Sequence, residues 1–380
     1  MKKFLLVTNN IYLPRGGEIW ALELSKALKG IFKIEILFPN FGKTSQSAKS
    51  TANKYEITLK GINGKTFKSN ITETQYDFFV PSLSGMVTIF TAISKADVVY
   101  CISSNPLIIS SVIILSKLYR KKIIYGIHNP LFSKVIGDKN TSKGTRIISK
   151  FLLGNVDTFH ALNSYDYRIT LQKFPKTNTY LIPNFLSKIV SAKTITVNHD
   201  QFIVLFVGKL LKREKGLDFL SEIIKIVMKK SSGIHFHIIG PEGDSEELLK
   251  SLVKRYPNNV EVLGFMNKNK LERQYAGADL FVLTSRKETF GLALLEAQSY
   301  GIPAICFDVG GPSDIVKERF QGRIIQRFDT EGFAAAVLKY YKRWQDKARY
   351  LKVKKLINKT INLRYNKRNI ISKLAKLLVE

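Results

Sequence analysis

The chain alternates short apolar runs with segments in which apolar positions recur every three or four residues. The first such unit places a buried strand at residues 3–9, a helix at 18–28 and a second strand at 33–38. A strand, a helix and another strand in this order form a βαβ unit, whose strands pair in parallel. The same alternation returns along almost the whole chain, which predicts an α/β protein with doubly wound parallel sheets.

A second series with the same layout follows a polar, aperiodic stretch at residues 187–201, which we interpret as a linker. Within the first series, residues 43–75 are polar and are expected to form hairpins or an irregular excursion. A chain of 380 residues exceeds what one hydrophobic core usually fills. The predicted organisation is a Rossmann-like domain over 1–190, a second over 191–346, and basic C-terminal helices over 347–380.

Composition excludes several classes of protein. Apolar residues make up 45% and charged residues 24% of the chain, which is typical of a folded globular protein. Two cysteines, Cys101 and Cys306, are too few for a disulfide scaffold and suit a reducing compartment. The most apolar stretch, 98–119, is interrupted by Asn105, Pro106 and Lys117, so we expect a strand and a helix there rather than a membrane span. The expected location is the cytoplasm.

The charge is strongly positive. Sixty Lys and Arg residues against thirty Asp and Glu give a formal charge of +30. Eleven of the basic residues fall between 347 and 376, a segment without Asp or Glu, in which Ile370, Leu374 and Leu377 recur at helical spacing. Such a helix has three interpretations: its basic face is simply solvated, or it contacts an anionic membrane, or it contacts nucleic acid. Because no nucleic-acid motif accompanies the charge, we expect no nucleic-acid partner, and peripheral contact with the inner face of the plasma membrane becomes a hypothesis.

The segment from 280 to 316 carries the most specific chemistry. A strand ends, a loop holds Glu288, and a helix opening at Gly291 carries Glu296. The helix-start amides that lack intrahelical acceptors are those of Thr289, Phe290, Gly291 and Leu292. Together with the positive end of the helix dipole, these amides form an anion site at the carboxyl edge of the sheet, suited to a diphosphate. The two carboxylates are placed to accept from different hydroxyls of one elongated ligand.

The Glu288…Glu296 pair around residues 290–292, followed by 301–303 and 308–314, resembles the signature of family-four retaining glycosyltransferases. The resemblance implies the GT-B fold: two Rossmann-like, doubly wound parallel-sheet domains facing a central cleft, with the basic C-terminal helices crossing back to the first domain. It also implies that a sugar moves, with retention, from a nucleotide diphosphate sugar to a hydroxyl of a glycan or lipid-linked acceptor in envelope or capsular polysaccharide synthesis.

The resemblance assigns roles to individual residues. As catalytic groups it implies Glu288 at the transferred sugar, His128 at a hydroxyl of the donor sugar, and Lys209 and Lys215 at the donor diphosphate. Glu296 would bind the ribose. The remaining implied contacts are Gly16, Gly17, Thr289, Phe290, Gly291 and Leu292 at the diphosphate and Gly264, Phe265 and Met266 at the nucleobase.

No Asp-x-Asp motif or cluster of His, Cys and carboxylates indicates a metal, so we expect a reaction without metal or other cofactor. Uridine is the expected base of the donor. Two alternatives stay open on the residues alone. One is an epimerase of nucleotide sugars or a glycan phosphorylase with the same fold. The other is a non-enzymatic protein that binds an anionic polymer, which the charge by itself would favour.

Overall fold

The computed structural model describes residues 1–9, 16–40, 46–68, 77–129, 143–197 and 200–379. The chain forms two compact units, the first made of residues 1–184 and 368–380 and the second of residues 185–367. The division therefore falls before the predicted boundary at residue 190. Most of the predicted basic tail, up to residue 367, belongs to the second unit.

The first unit is built on a seven-stranded parallel sheet and a separate antiparallel hairpin. Its strands are β1 (Lys2–Val7), β2 (Phe32–Pro39), β3 (Thr58–Ile62), β4 (Gly64–Lys68), β5 (Asp77–Pro81), β6 (Val98–Cys101), β7 (Lys122–Ile127), β8 (Thr158–Ala161) and β9 (Asn178–Leu181). Its helices, up to the linker, are α1 (Gly16–Leu28), α2 (Gln46–Lys54), α3 (Leu83–Ser94), α4 (Pro106–Leu118), α5 (Lys143–Leu153) and α6 (Ser164–Lys173). The sheet order is β3-β2-β1-β6-β7-β8-β9, and β4 pairs with β5.

The second unit holds a six-stranded parallel sheet in the order β12-β11-β10-β13-β14-β15. These strands are β10 (Phe202–Val207), β11 (Ile234–Ile239), β12 (Val260–Gly264), β13 (Leu280–Leu283), β14 (Ala304–Phe307) and β15 (Gly322–Ile325). After a short 3-10 turn (Ala192–Thr194), the helices are α7 (Leu217–Met228), α8 (Glu246–Arg255), α9 (Lys268–Gly277), α10 (Leu292–Ser299), α11 (Gly311–Ile315), α12 (Thr330–Trp344), α13 (Lys347–Arg364) and α14 (Lys367–Val379). Apart from its first residue, α14 belongs to the first unit.

Both sheets confirm the predicted doubly wound architecture. In each, the chain builds one half outward from a central strand and then returns to build the other half, so neighbouring strands in the middle come from different halves. These switch points lie between β1 and β6 and between β10 and β13. Loops diverge at the carboxyl ends of strands on either side of such a point, which is where open α/β sheets bind ligands.

Residues 43–75, expected to form hairpins or an irregular excursion, also contain a helix and a strand of the main sheet. Among the α2 side chains that the structure describes, those of Ala48 and Ala52 are the buried ones, so the apolar periodicity is too weak to stand out. The edge strand β3 buries only Ile62 fully, and its other residues are polar or half-exposed. The antiparallel pair β4-β5 matches the predicted hairpin.

The apolar stretch 98–119 forms β6 and α4, as predicted, rather than one long helix. Asn105 caps α4 by accepting from the amide of Ile108, and Pro106 occupies its first position, where no amide donor is needed. In the described part of the chain, no helix combines the length and the apolar content that crossing a bilayer requires. Cys101 and Cys306 are buried free thiols, and burial raises the pKa of each to about 12.

The two C-terminal helices use their apolar faces inside the protein. In α14, Ile370, Leu374 and Leu377 are buried, and the Lys122 Nζ donates to the carbonyl of Leu377 at 2.9 Å. The basic amphipathic helix predicted here therefore exists, but its apolar side packs within the first unit. It is not a surface that can enter a membrane without unpacking.

Helix α13 is attached to the second unit by two buried polar side chains. The Lys354 ammonium, 1% exposed, donates to the carbonyl of Ala278 at 3.0 Å and to that of Thr196 at 3.3 Å. Asn358 donates to the carbonyl of Val190 at 2.9 Å and also to that of Ser299. Desolvation lowers the pKa of Lys354, and these carbonyl contacts compensate part of the cost of burying an ammonium group.

Candidate functional site

The loop between β13 and α10 leaves the sheet at its carboxyl edge. All four residues of β13 are buried, and Glu288 forms a β-bridge with Gly310 as the chain turns back toward the helix. Gly291 has φ +94° and caps α10, a left-handed conformation that favours glycine. Helix α10 therefore begins at Leu292, one residue later than predicted.

This later start corrects the predicted set of helix-start donors. Leu292 alone lies in the helix, whereas Thr289, Phe290 and Gly291 form the turn before it. Among the described residues, the amides of Phe290, Gly291 and Leu292 have no acceptor in the protein. These amides remain donors at the positive end of the α10 dipole, in the arrangement that binds anions.

Lys215 and Glu288 form an ion pair beside this turn. The Lys215 Nζ lies 2.8 Å from the Glu288 Oε2, and the two side chains are 22% and 18% exposed. Gly216 follows with φ +66°, and a Cβ there would lie 2.0 Å from the carbonyl oxygen of Thr284. The Thr284 hydroxyl donates to the carbonyl of Lys215 at 3.0 Å. The loop before α7 is thus held against the end of β13, which brings the predicted cation and carboxylate together.

Lys209 belongs to the same neighbourhood. It is half-buried and follows Gly208 at the carboxyl end of β10, the strand next to β13 at the switch point. A Cβ on Gly208 would lie 4.0 Å from the Lys215 Cδ, so the aliphatic part of that lysine passes beside the residue before Lys209. Both predicted cations therefore stand at one edge of the second sheet.

Arg286 is a positioning residue that the sequence did not reveal. Its guanidinium donates to both carboxylate oxygens of Asp218, at 2.8 and 2.6 Å, and to the carbonyl of Arg213 at 2.8 Å. It also lies 4.0 Å from the centroid of the Phe219 ring. Desolvation would raise the pKa of Asp218, but the hydrogen bonds and charge of Arg286 lower it overall. Arg286 thus connects the loop that carries Lys215 to the loop that carries Glu288.

Glu296 lies on α10, and one of its carboxylate oxygens bonds to a buried tyrosine. The Tyr275 hydroxyl donates to the Glu296 Oε2 at 3.1 Å, and the Tyr275 ring stacks on that of Tyr300 at 5.5 Å. Desolvation by the surrounding protein raises the pKa of the Glu296 carboxyl, although the Tyr275 bond and the charge of Lys268 lower it in part. The second carboxylate oxygen has no hydrogen bond within the described part of the chain.

The predicted nucleobase contacts also lie at the carboxyl edge. Gly264 ends β12 with φ +65° and accepts from the amide of Gly240 at 3.0 Å. Phe265 is 65% exposed, and Met266 is half-buried. An exposed aromatic ring at this edge offers a face on which a planar base can stack.

His128 lies in the first unit, directly after β7, in a chain of hydrogen bonds. The His160 Nε2 is 2.6 Å from the carbonyl of Ile182, and the Tyr100 hydroxyl is 2.5 Å from the His160 Nδ1 and 3.4 Å from the His128 Nε2. Because a carbonyl only accepts, the network assigns the His160 proton to Nε2, the Tyr100 proton to the bond with His160, and a proton to the His128 Nε2. The His128 Nδ1 is then an acceptor. The Trp20 ring stands 4.2 Å from the His128 ring.

His128 and His160 are both neutral at ordinary pH. Burial lowers the pKa of His160 to about 4, and burial together with the neighbouring His160 lowers the pKa of His128 well below its usual range. Tyr100 and His160 were not predicted, because nothing in the sequence around them signals a contact with His128. Gly16 and Gly17 open α1, which starts two residues earlier than predicted.

The predicted residues therefore divide between the units. Gly16, Gly17 and His128 lie in the first unit, and all the others lie in the second. Within the described ranges, no group of three His, Cys, Asp or Glu side chains is arranged to hold a metal ion.

The chain is similar to known glycosyltransferases in sequence and in fold. Residues 189–356 match the family model of glycosyl transferases group 1. An uncharacterized protein from the cps region of Klebsiella pneumoniae is 28% identical over 61% of this chain and 66% of its own length. The amylovoran biosynthesis glycosyltransferase AmsD of Erwinia amylovora is 25% identical over 80% of this chain and 89% of its own.

Among solved structures, Anabaena HepE in complex with UDP superposes with a TM-score of 0.76 at 15% identity, over 99% of each chain, which shows the shared GT-B fold. The chain spans about two thirds of the Klebsiella relative and about a third of other curated relatives that it matches over shorter segments. Residues 189–356, which make up most of the second unit, are thus similar to the glycosyl transferases group 1 family, as the motifs of this segment indicated.

Proposed function

We propose that the chain is a retaining glycosyltransferase that moves a sugar from a UDP-sugar to a hydroxyl group of a glycan or lipid-linked acceptor in envelope polysaccharide synthesis. The observation that carries this proposal is the Lys215–Glu288 ion pair beside the amides that precede α10. A cation, helix-start donors and a carboxylate at one sheet edge are the groups needed to bind a diphosphate and the sugar attached to it.

In the proposed reaction, the glycosidic C–O bond breaks and negative charge collects on the departing diphosphate. Lys209, Lys215 and the amides of residues 290–292 stabilise that charge, and they do so more in the transition state than in the ground state. Glu288 accepts from sugar hydroxyls and stabilises the positive reacting carbon. The acceptor attacks on the face from which the diphosphate leaves, and a diphosphate oxygen takes its proton, so the configuration is retained and no metal is required.

Three further contacts to the donor are part of the proposal. Glu296 accepts from the ribose hydroxyls through the oxygen that Tyr275 does not occupy, and Phe265 stacks on the base. In the first unit, the His128 Nδ1 accepts from a hydroxyl of the donor sugar. The chain Ile182–His160–Tyr100 fixes the ring tautomer for that role.

Relatives support the choice of donor and pathway. HepE has been crystallised with UDP and with UDP-glucose, AmsD is named for amylovoran biosynthesis, and the Klebsiella protein is encoded in a cps region. We therefore place the proposed activity in the cytoplasm, at the inner face of the membrane where a lipid-linked acceptor would be reached.

A thermal-shift screen of UDP-, GDP-, ADP- and TDP-sugars tests the donor, followed by NMR of the sugar that is released or transferred. We expect stabilisation by a UDP-sugar, UDP release, and a product that first appears with the anomeric configuration of the donor. Turnover that persists in EDTA supports the proposed metal independence, and loss in EDTA contradicts it. An epimerised sugar still attached to UDP would indicate an epimerase instead, and failure of every nucleotide sugar to bind would leave the anionic-polymer alternative.

A further inference from the structure

Three neighbouring helices of the first unit expose large apolar side chains to solvent. Helix α3 packs on α4, and α4 packs on α5. The outer sides of α3 and α4 are in contact, since the Ser111 hydroxyl approaches the Met86 sulfur at 3.8 Å and the rings of Phe90 and Tyr119 stand 5.3 Å apart. Val87 on α3 and Ile114 and Leu118 on α4 are more than half exposed. Exposed apolar side chains therefore occur on both helices beside their mutual contact.

Helix α5 carries the most prominent part of this surface. Ile147, Ile148 and Phe151 are 68%, 61% and 73% exposed, and their spacing places them on one side of the helix. The opposite side is already used, because Leu153 is buried in the core of the first unit. Three large apolar side chains turned toward water on one short helix indicate an interaction site, since soluble proteins rarely expose contiguous apolar patches.

The same three helices are free of negative charge. Their sequences contain no Asp or Glu, and they carry Lys117, Lys143, Arg146 and Lys150. Lys117 pairs with Asp157, whereas Lys143 is exposed one turn before the apolar stripe of α5 and Lys150 is exposed within its span, next to Phe151. Apolar side chains flanked by lysines on one face are the arrangement of a helix that lies in the plane of a lipid interface.

We propose that this surface, made of the outer sides of α3, α4 and α5, docks on an anionic lipid bilayer. Ile147, Ile148 and Phe151 enter the boundary between headgroups and acyl chains, while Lys143 and Lys150 contact lipid phosphates. A second copy of the chain is a poorer occupant, because it would bring the same basic, acid-free surface into contact with this one. The proposal adds a docking face to the lipid-linked acceptor suggested above, but vesicle binding itself does not depend on that reaction.

The test uses the full chain and vesicles of phosphatidylcholine with or without 30% phosphatidylglycerol, sedimented to measure the bound fraction. Each lysine near such a surface strengthens binding by about fivefold, so Lys143→Gln with Lys150→Gln should weaken it by roughly thirtyfold. The matched control is Lys373→Gln with Lys376→Gln, two exposed lysines on α14 with the same change in charge. We expect the control to bind nearly as well as the unmodified chain.

A second measurement reports insertion. Phe151→Trp places a fluorophore on the stripe, against a constant background because Trp20 and Trp344 are buried. We expect a blue shift on anionic vesicles and quenching by brominated lipid, and UDP binding unchanged in every variant. An absence of vesicle binding, an equal loss in the α14 control, no quenching at position 151, or a dimer that these substitutions dissociate would each overturn the docking proposal. Failure of the unmodified chain to bind UDP would instead count against the proposed function.

Discussion

Replacing Lys215 with Met tests the proposed role of the ion pair most directly. The substitution removes a cation whose side chain is 22% exposed, so solvent screens its charge only in part. A hydrogen bond to a charged group contributes about 1.5–3 kcal/mol, which corresponds to a roughly 10- to 150-fold weaker UDP affinity. The change also leaves Glu288 without its partner at 2.8 Å, and the uncompensated carboxylate repels the diphosphate in the same direction. We therefore expect the upper half of that range.

Isothermal titration with UDP measures the effect without any acceptor. The control is Lys212→Met, three residues earlier in the same loop, whose side chain is exposed and is not part of the Lys215–Glu288 ion pair. Turnover of Lys215→Met should fall by about 10²–10³, in line with the loss of one donor to developing negative charge. If the folded Lys215 variant binds UDP within threefold of the unmodified chain, or if Lys212→Met loses as much, the assignment of Lys215 to the diphosphate is wrong.

Three further predictions concern single residues. Because the pKa of Glu296 is raised above its ordinary value of 4.5, UDP affinity should fall as pH drops through that raised pKa; titration at several pH values should show no such fall in Glu296→Gln. Gly216→Ala should lower the free energy of unfolding, measured with urea, by more than about 2 kcal/mol, because alanine must adopt a left-handed conformation and its Cβ meets Thr284. The same measurement on Gly277→Ala should show little change, because no atom lies within 4 Å of the added Cβ. The pKa of His160 is lowered from 6.5 to about 4, so its neutral form favours folding above pH 6.5, and this stability is lost as pH falls toward 4. Between pH 7 and pH 4, the free energy of unfolding should therefore fall by about 3 kcal/mol more in the unmodified chain than in His160→Gln.

The part of the candidate site that could be predicted most directly from the sequence lies in one contiguous segment. Glu288, Gly291 and Glu296 lie within nine residues, and the strand, loop and helix between them follow from local patterning. The sequence also predicts strands at 202–207 and 234–239 and a helix at 217–228. The strands β10 and β11 and the helix α7 have these bounds because each combines a continuous apolar run or stripe with a clear glycine or polar stop.

Contacts between residues far apart along the chain could not be predicted from the sequence. Arg286 meets Asp218 over 68 positions, and Tyr100 meets His160 over 60. No local pattern encodes which carboxylate an arginine will find, because that depends on how two loops leave neighbouring strands of a folded sheet. The membrane hypothesis shows the same limit: the basic tail was the conspicuous segment in the sequence, but its apolar face is buried, and the exposed apolar side chains of α5 were not singled out.

The attachment of α13 bears on how the second unit can be isolated. Lys354 and Asn358 supply donors to the carbonyls of Thr196, Ala278, Val190 and Ser299. A polypeptide ending at residue 346 would strip those carbonyls of their donors and uncover the surface on which the helix rests. Aggregation of such a truncation would therefore indicate the loss of a packed helix rather than a defective donor site. A fragment spanning 185–367 keeps that helix and should stay soluble and bind UDP.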